Sequence, residues 1–495
     1  MGSSVTPPPA WRTGARHLSA AAALLFTLTL LSACGGGSAT PGGGNTPGGD
    51  NQAPSVTLTS PARLASGLTG PLTVSAAASD NIAVASIEIQ VDGQPVGNTG
   101  SGASHTVTVD TAAYTPGQHI VRARARDAAG GVSGWGSATV SFAGNRTEPA
   151  GFARSDLVTG LGNATAFAQA PDGRYFVATQ TGAVRIVTAA GALLPTPFLT
   201  LSVDASGERG LIGVALHPGF ANNGFVYLYY TTAEGGTHNR ISRFTANPAN
   251  PDIVSVGSEV RIADLPALTG ATNHNGGALH FGRLDGKLYV GVGDNAVASR
   301  APDPTQVFGK VLRFNEDGSI PGDNPFCTTA GSQPCAVWAL GLRNPYTLAE
   351  QPGSGRLHIN DVGQNSWEEV NLGARAANYG WPASEGPTST PGVVAPLFSY
   401  PHSIDPAGPG GFVSGCAVIG GAFYPADGNF AAPYRGNYFF TDLCSGVVTR
   451  LDLANNNAAY AFGRVAGSPV GLLVGLDGAL LVLTRTTIVR FAATP

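Results

Sequence analysis

Asp172-Gly173-Arg174-Tyr175-Phe176-Val177, followed closely by Val184-Arg185-Ile186, is the stretch that decides the fold. It combines a glycine turn, an apolar strand and a second strand that closes a hairpin. The same pattern returns at Gly224-Phe225-Val226-Tyr227-Leu228-Tyr229 with Ile241-Ser242-Arg243-Phe244, and at Asp285-Gly286-Lys287-Leu288-Tyr289-Val290 with Val311-Leu312-Arg313-Phe314. Further copies start at Gly355-Arg356-Leu357-His358-Ile359, at Arg435-Gly436-Asn437-Tyr438-Phe439-Phe440 and at Asp477-Gly478-Ala479-Leu480-Leu481-Val482. Radially stacked β-repeats of this length predict a six-bladed β-propeller over residues 150–495. The insertions in the middle copies place long loops on one face, where a propeller carries its site.

Outward from the repeats, residues 54–143 read as a separate all-β unit. Ser86-Ile87-Glu88-Ile89-Gln90-Val91 alternates apolar and polar and ends at the hairpin turn Asp92-Gly93. Val121, Ala123 and Ala125 alternate with Arg122, Arg124 and Arg126, so one face packs and the arginines form a solvated face. Short strands in a cysteine-free segment of this size predict an Ig-like β-sandwich acting as a spacer. The whole chain is therefore expected to be all-β.

Arg12, Arg16 and His17 precede an apolar run from Leu18 to Leu31, then Leu31-Ser32-Ala33-Cys34. That order reads as a secretory signal over residues 1–33. The tetrad resembles a bacterial lipobox, which makes Cys34 the expected lipid attachment point and predicts an exported chain anchored to a membrane. Residues 34–53 form a tether rich in Gly, Ser, Thr and Pro. The remaining cysteines form an even set, and local pairs Cys327–Cys335 and Cys416–Cys444 are expected in an exported chain without CxxC. Across 495 residues there are 69 Gly and 36 Pro, no collagen period, and a net charge of −4, so no nucleic-acid partner is expected. Lys287 and Lys310 are the only lysines.

His274 lies in the polar loop Thr272-Asn273-His274-Asn275-Gly276-Gly277, immediately before an apolar strand. An imidazole there, with glycines admitting a ligand, suits a general base. Asp294 follows the next strand, and a hairpin-like return would bring its carboxylate to the ring. Gly341-Leu342-Arg343-Asn344-Pro345 offers a guanidinium for an anionic ligand. Asp361 to Glu369 gathers carboxylates, an amide and main-chain carbonyls, either a hard-oxygen calcium site or a solvated acidic turn. Asn378-Tyr379-Gly380-Trp381-Pro382 adds aromatic walls, as sugar-stacking surfaces or as core.

These motifs, together with Gly207-Glu208-Arg209-Gly210-Leu211-Ile212-Gly213, His217-Pro218-Gly219-Phe220 and Gly309-Lys310-Val311-Leu312-Arg313, resemble the glucose/sorbosone dehydrogenases. Those are PQQ-dependent sugar dehydrogenases with six-bladed propellers. The resemblance implies PQQ and Ca²⁺ as cofactors and C1 oxidation of an aldose-type sugar to a lactone. It implies His274 as base, supported by Asp294, with an external electron acceptor. Arg343 and Asn344 would contact the quinone, and the carbonyls of Gly363 and Gln364 would hold calcium. Positions such as Glu369 and Tyr379 would serve a second calcium. The late-blade Lys and Arg pair of the best-studied members fall here at Cys444 and near Ser468 and Val470. The propeller also resembles the Hedgehog-interacting protein family, which implies the alternative of a calcium-dependent propeller binding a glycan or protein without turnover.

Overall fold

A computed structural model of the chain describes residues 50–327, 331–408 and 410–494. The expected signal segment and Cys34 lie outside the described residues. Among the described residues, no helix is long and apolar enough to cross a membrane.

The N-terminal unit is a two-sheet sandwich. One sheet pairs Ser55–Ser60, Pro71–Ser79 and Ser104–Asp110; the other places Val84–Val91 beside Pro116–Asp127, which in turn pairs Gly136–Ala143. Ile87, Ile89, Val121, Ala123 and Ala125 are buried between the sheets. On the other face Arg122 and Arg124 bond Gln90 and Glu88 and stack on Trp135, with 4.1 and 4.4 Å to the ring centroid.

The sandwich is docked on the fifth blade rather than suspended as a spacer. The Gln118 amide donates to Ala459 O and accepts from Phe412 N, and Arg464 N donates to Thr147 O. Arg450 reaches Asp92 O while its guanidinium lies 4.0 Å from the Tyr460 ring centroid. Beside this junction, buried His119 donates from Nδ1 to Asp92 (2.6 Å) and from Nε2 to Thr115 O (2.7 Å). Burial opposes the imidazolium, but the Asp92 carboxylate and these hydrogen bonds outweigh it and hold the pKa above its ordinary value. A raised folded pKa stabilises the fold below the unfolded value and that stability is lost as pH rises through the folded one. Urea midpoints at about pH 6 and about pH 9 should therefore fall more for the wild type than for His119→Gln.

Six four-stranded or five-stranded sheets follow, each beginning with its inner strand. The repeated stretches become the second and third strands of each blade: Tyr175–Thr179 with Ala183–Val187 in the first, and Leu480–Thr484 with Ile488–Ala493 in the sixth. The Asp-Gly turns recur for a physical reason. Asp172, Asp285 and Asp477 each accept the main-chain N–H two residues on, and the intervening glycines have φ of 90°, 66° and 75°. The ring is closed by Phe152–Val158, which pairs with Ile488–Ala493 as the outer strand of the sixth blade. That leaves no open seam between the chain's two propeller ends. The structure bonds Cys327 to Cys335 and Cys416 to Cys444.

In four interblade junctions, the turn after a blade's second strand meets the loop leading into the next inner strand. Leu211 N donates to Gln180 O, Asp294 N to Arg343 O in the reverse sense, Val465 N to Gly446 O and Ala164 N to Arg485 O. These loops share one face. On the axis lies a channel of about 110 Å³ lined by inner strands from all six blades, with Tyr346 among them.

Candidate active site

The loops of that face bring residues from distant parts of the chain to the channel mouth. His274 adopts a left-handed backbone (φ 55°), held by Glu208 Oε2, which accepts its main-chain N–H at 2.7 Å, and by Asn295 N, which donates to its carbonyl. Gly276 next in the loop has φ 71°, and a Cβ there would lie 2.4 Å from Gly291 O. Only glycine permits this approach of two backbones. Asn344 Oδ1 accepts from Gly276 N at 2.9 Å and so ties the loop to the fourth blade.

The imidazole stands between an acid and a base. Its Nδ1 lies 2.7 Å from Asp294 Oδ1, and its Nε2 lies 2.7 Å from Arg343 Nη2. A carboxylate only accepts and a guanidinium only donates, so the partners assign the proton to Nδ1 and the lone pair to Nε2. Asp294 is 1% exposed, and its Oδ2 accepts from Trp381 Nε1 at 2.9 Å. Asp361 fixes the other side. Its two oxygens accept from Arg343 N (2.9 Å) and Asn344 N (2.7 Å).

The buried Arg343 guanidinium forms no ion pair with a carboxylate among the described residues; Gln364 Oε1, Val362 O and His274 Nε2 receive its donors. A second guanidinium on this face, that of Arg485, forms no ion pair among the described residues and donates one hydrogen bond there, to Ala164 O. Its main-chain N–H bonds the carbonyls of Gly467 and Ser468, the segment in which the family resemblance places an arginine pair. Burial raises the Tyr346 hydroxyl above its ordinary pKa, with Arg485 opposing and Glu208 adding to the rise. Two guanidiniums that form no ion pair among the described residues, at the mouth of a channel, fit an anionic, planar cofactor.

Gly363 and Gln364 lie in a tight turn at the same mouth. Among the described residues, the carbonyls of Gly363, Gln364 and Asn365 accept no hydrogen bond, leaving hard oxygens free. Buried Glu369 and Asp361 face one another across two strands. Burial pushes Glu369 up to about 7, and burial with the nearby Glu369 holds Asp361 well above the usual carboxylate range. The unbonded carbonyls of the turn are hard oxygens of the kind that Ca²⁺ takes. Tyr379 is not brought to Glu369 through its side chain: its hydroxyl donates to Leu372 O and accepts from Ala374 N, leaving only its carbonyl for such a role. Among the tryptophans, Trp338 packs edge-on against Tyr289 in the core, Trp367 covers Gly386, and Trp381 reaches Asp294.

The profile of the glucose/sorbosone dehydrogenases matches residues 161–489, and that of a bacterial Ig domain matches residues 54–123. The chain belongs to the glucose/sorbosone dehydrogenase family. Within it, the chain is 32% identical over 222 residues to the aldose sugar dehydrogenase YliI of Escherichia coli, covering 44% of this chain and 58% of that one. It is 31% identical over 264 residues to quinoprotein glucose dehydrogenase B of Acinetobacter calcoaceticus, covering 48% and 53%. The PQQ-bound aldose sugar dehydrogenase of Streptomyces coelicolor superposes with a TM-score of 0.57 at 25% identity, covering 70% of this chain and 99% of that one.

Glu208, Trp381 as a partner of Asp294, and Arg485 are site residues that sequence reasoning had not assigned. Arg485 carried one signal, an arginine in the turn between the last two strands of the final repeat. Neither lysine substitutes for it. Lys287 bonds Asn315, and buried Lys310 gives its ammonium to the carbonyls of Arg300, Ala301 and Phe308, with burial lowering its pKa to about 7.

Proposed function

We propose that the protein oxidises an aldose-type sugar at C1 to the lactone, with PQQ and Ca²⁺ as cofactors and an external electron acceptor. The observation that carries this reading is the Asp294–His274–Arg343 chain at the channel mouth. PQQ, when bound, supplies the hydride acceptor. Asp294 holds the Nδ1–H tautomer and stabilises the imidazolium, so Nε2 takes the proton of the C1 hydroxyl. Arg343 gives up Nε2 when it turns to an anionic partner. Arg343 and Asn344 then orient that partner, and Arg485 supplies a charge-assisted contact from two blades away. Gly363 and Gln364 would hold calcium through their carbonyls, and Glu369 with the Tyr379 carbonyl would serve a second ion. Export and anchoring to the cell envelope through Cys34 complete the reading.

Reconstitution with PQQ and Ca²⁺, followed by dye reduction across a panel of aldoses, tests it. Turnover with at least one sugar supports the enzyme; absence of both PQQ binding and turnover supports the second reading, a propeller that binds a glycan or protein. One observation favours that second reading: Arg343 occupies the Nε2 lone pair that a base requires. Loss of one charge-assisted contact is worth ~1.5–3 kcal/mol, so Arg485→Ala should weaken PQQ binding by about tenfold or more in an absorbance titration.

A further inference from the structure

Glu385 lies outside the blades, on the loop after Trp381-Pro382, twenty-one residues from Gln364 in sequence. Its Oε1 accepts four consecutive main-chain N–H groups, those of Gln364 (2.7 Å), Asn365 (3.1 Å), Ser366 (3.1 Å) and Trp367 (3.3 Å). Successive amides converging on one anion form a concave nest, and the carbonyls of the same peptides then face away from it. This is the turn whose carbonyls at 363, 364 and 365 receive no hydrogen bond among the described residues.

The residue that follows Glu385 is itself held from both sides. Gly386 N donates to Glu369 Oε1 at 2.6 Å, and the Trp367 ring covers Gly386 so closely that a Cβ would come within 2.3 Å of it. The turn is equally constrained at its start, where a Cβ on Gly363 would meet Trp367 O at 1.6 Å. From the turn, Gln364 Oε1 accepts from Arg343 Nε at 2.8 Å, so its geometry reaches the guanidinium beside His274.

We infer that Glu385 is a positioning residue: by drawing four amides to one side it presents the carbonyls of Gly363 and Gln364 to a divalent cation. The inference rests on the calcium reading given above. Hydrogen exchange of the full chain without calcium reads the nest directly, and calorimetric CaCl₂ titration with and without PQQ reads its consequence. In Glu385→Gln and Glu385→Ala the amides of residues 364–367 should exchange faster while the calcium-free melting temperature is retained. Calcium affinity should fall by about 10-fold to 100-fold, the scale of losing a residue that orients metal ligands. Variants that bind calcium as the wild type does overturn the inference. So does weakened calcium binding with the amides still protected, since the carboxylate would then be a ligand itself. A wild type that binds no calcium under either condition instead overturns the calcium reading, and the inference with it.

Discussion

Asp294→Asn should lower kcat by about 1000-fold or more while leaving sugar and cofactor binding near the wild-type level. Every neighbour of this carboxylate is a donor. Oδ1 receives His274 Nδ1 and Ala296 N, and Oδ2 receives Trp381 Nε1. An amide has one accepting oxygen and one donating nitrogen, so it cannot serve both sides. If the nitrogen faces Trp381, two donors oppose each other at the 1%-exposed site of Asp294. If it faces His274, Nδ1 must accept and the proton moves to Nε2, where Arg343 already donates. The base then has no lone pair for substrate. Steady-state kinetics with PQQ titrated separately by absorbance checks the separation of turnover from binding. A variant with near wild-type kcat would show that the tautomer is not used.

His274→Ala should abolish turnover, by about 100-fold to 10000-fold for loss of a general base, with calcium binding intact. The side chain lies between Asp294 and Arg343, so its removal also frees Arg343 Nη2 from Nε2. Its main-chain contacts to Glu208 and Asn295 do not require the imidazole, so the loop should keep its course. Exogenous imidazole should restore part of the rate if only the base is missing. Calorimetric CaCl₂ titration of the variant should match the wild type.

The blades were legible because each copy carries its own punctuation. A glycine with positive φ before the strand, joined in three of the six copies by an Asp that caps its own turn, is a local signal, and local signals survive in a single sequence. Ring closure was not legible. Phe152–Val158 finds its partner at Ile488–Ala493, more than three hundred residues away, and nothing in either segment names the other. The proximity of His274 and Asp294 was readable from one hairpin, whereas Arg343, Trp381 and Arg485 reach the same mouth from other blades. The docking of the sandwich was missed for a related reason. Gln118 sits in a strand whose pattern predicts only alternation, yet its amide bridges two segments of the propeller.

The most direct test is rapid-mixing spectroscopy of the PQQ- and calcium-loaded protein with an aldose, unlabelled or deuterated at C1. The expected result is reduction of bound PQQ by the sugar alone, slowed by deuterium at C1 and lost in His274→Ala. Bound PQQ that stays oxidised with every aldose in the panel would contradict sugar oxidation at this site.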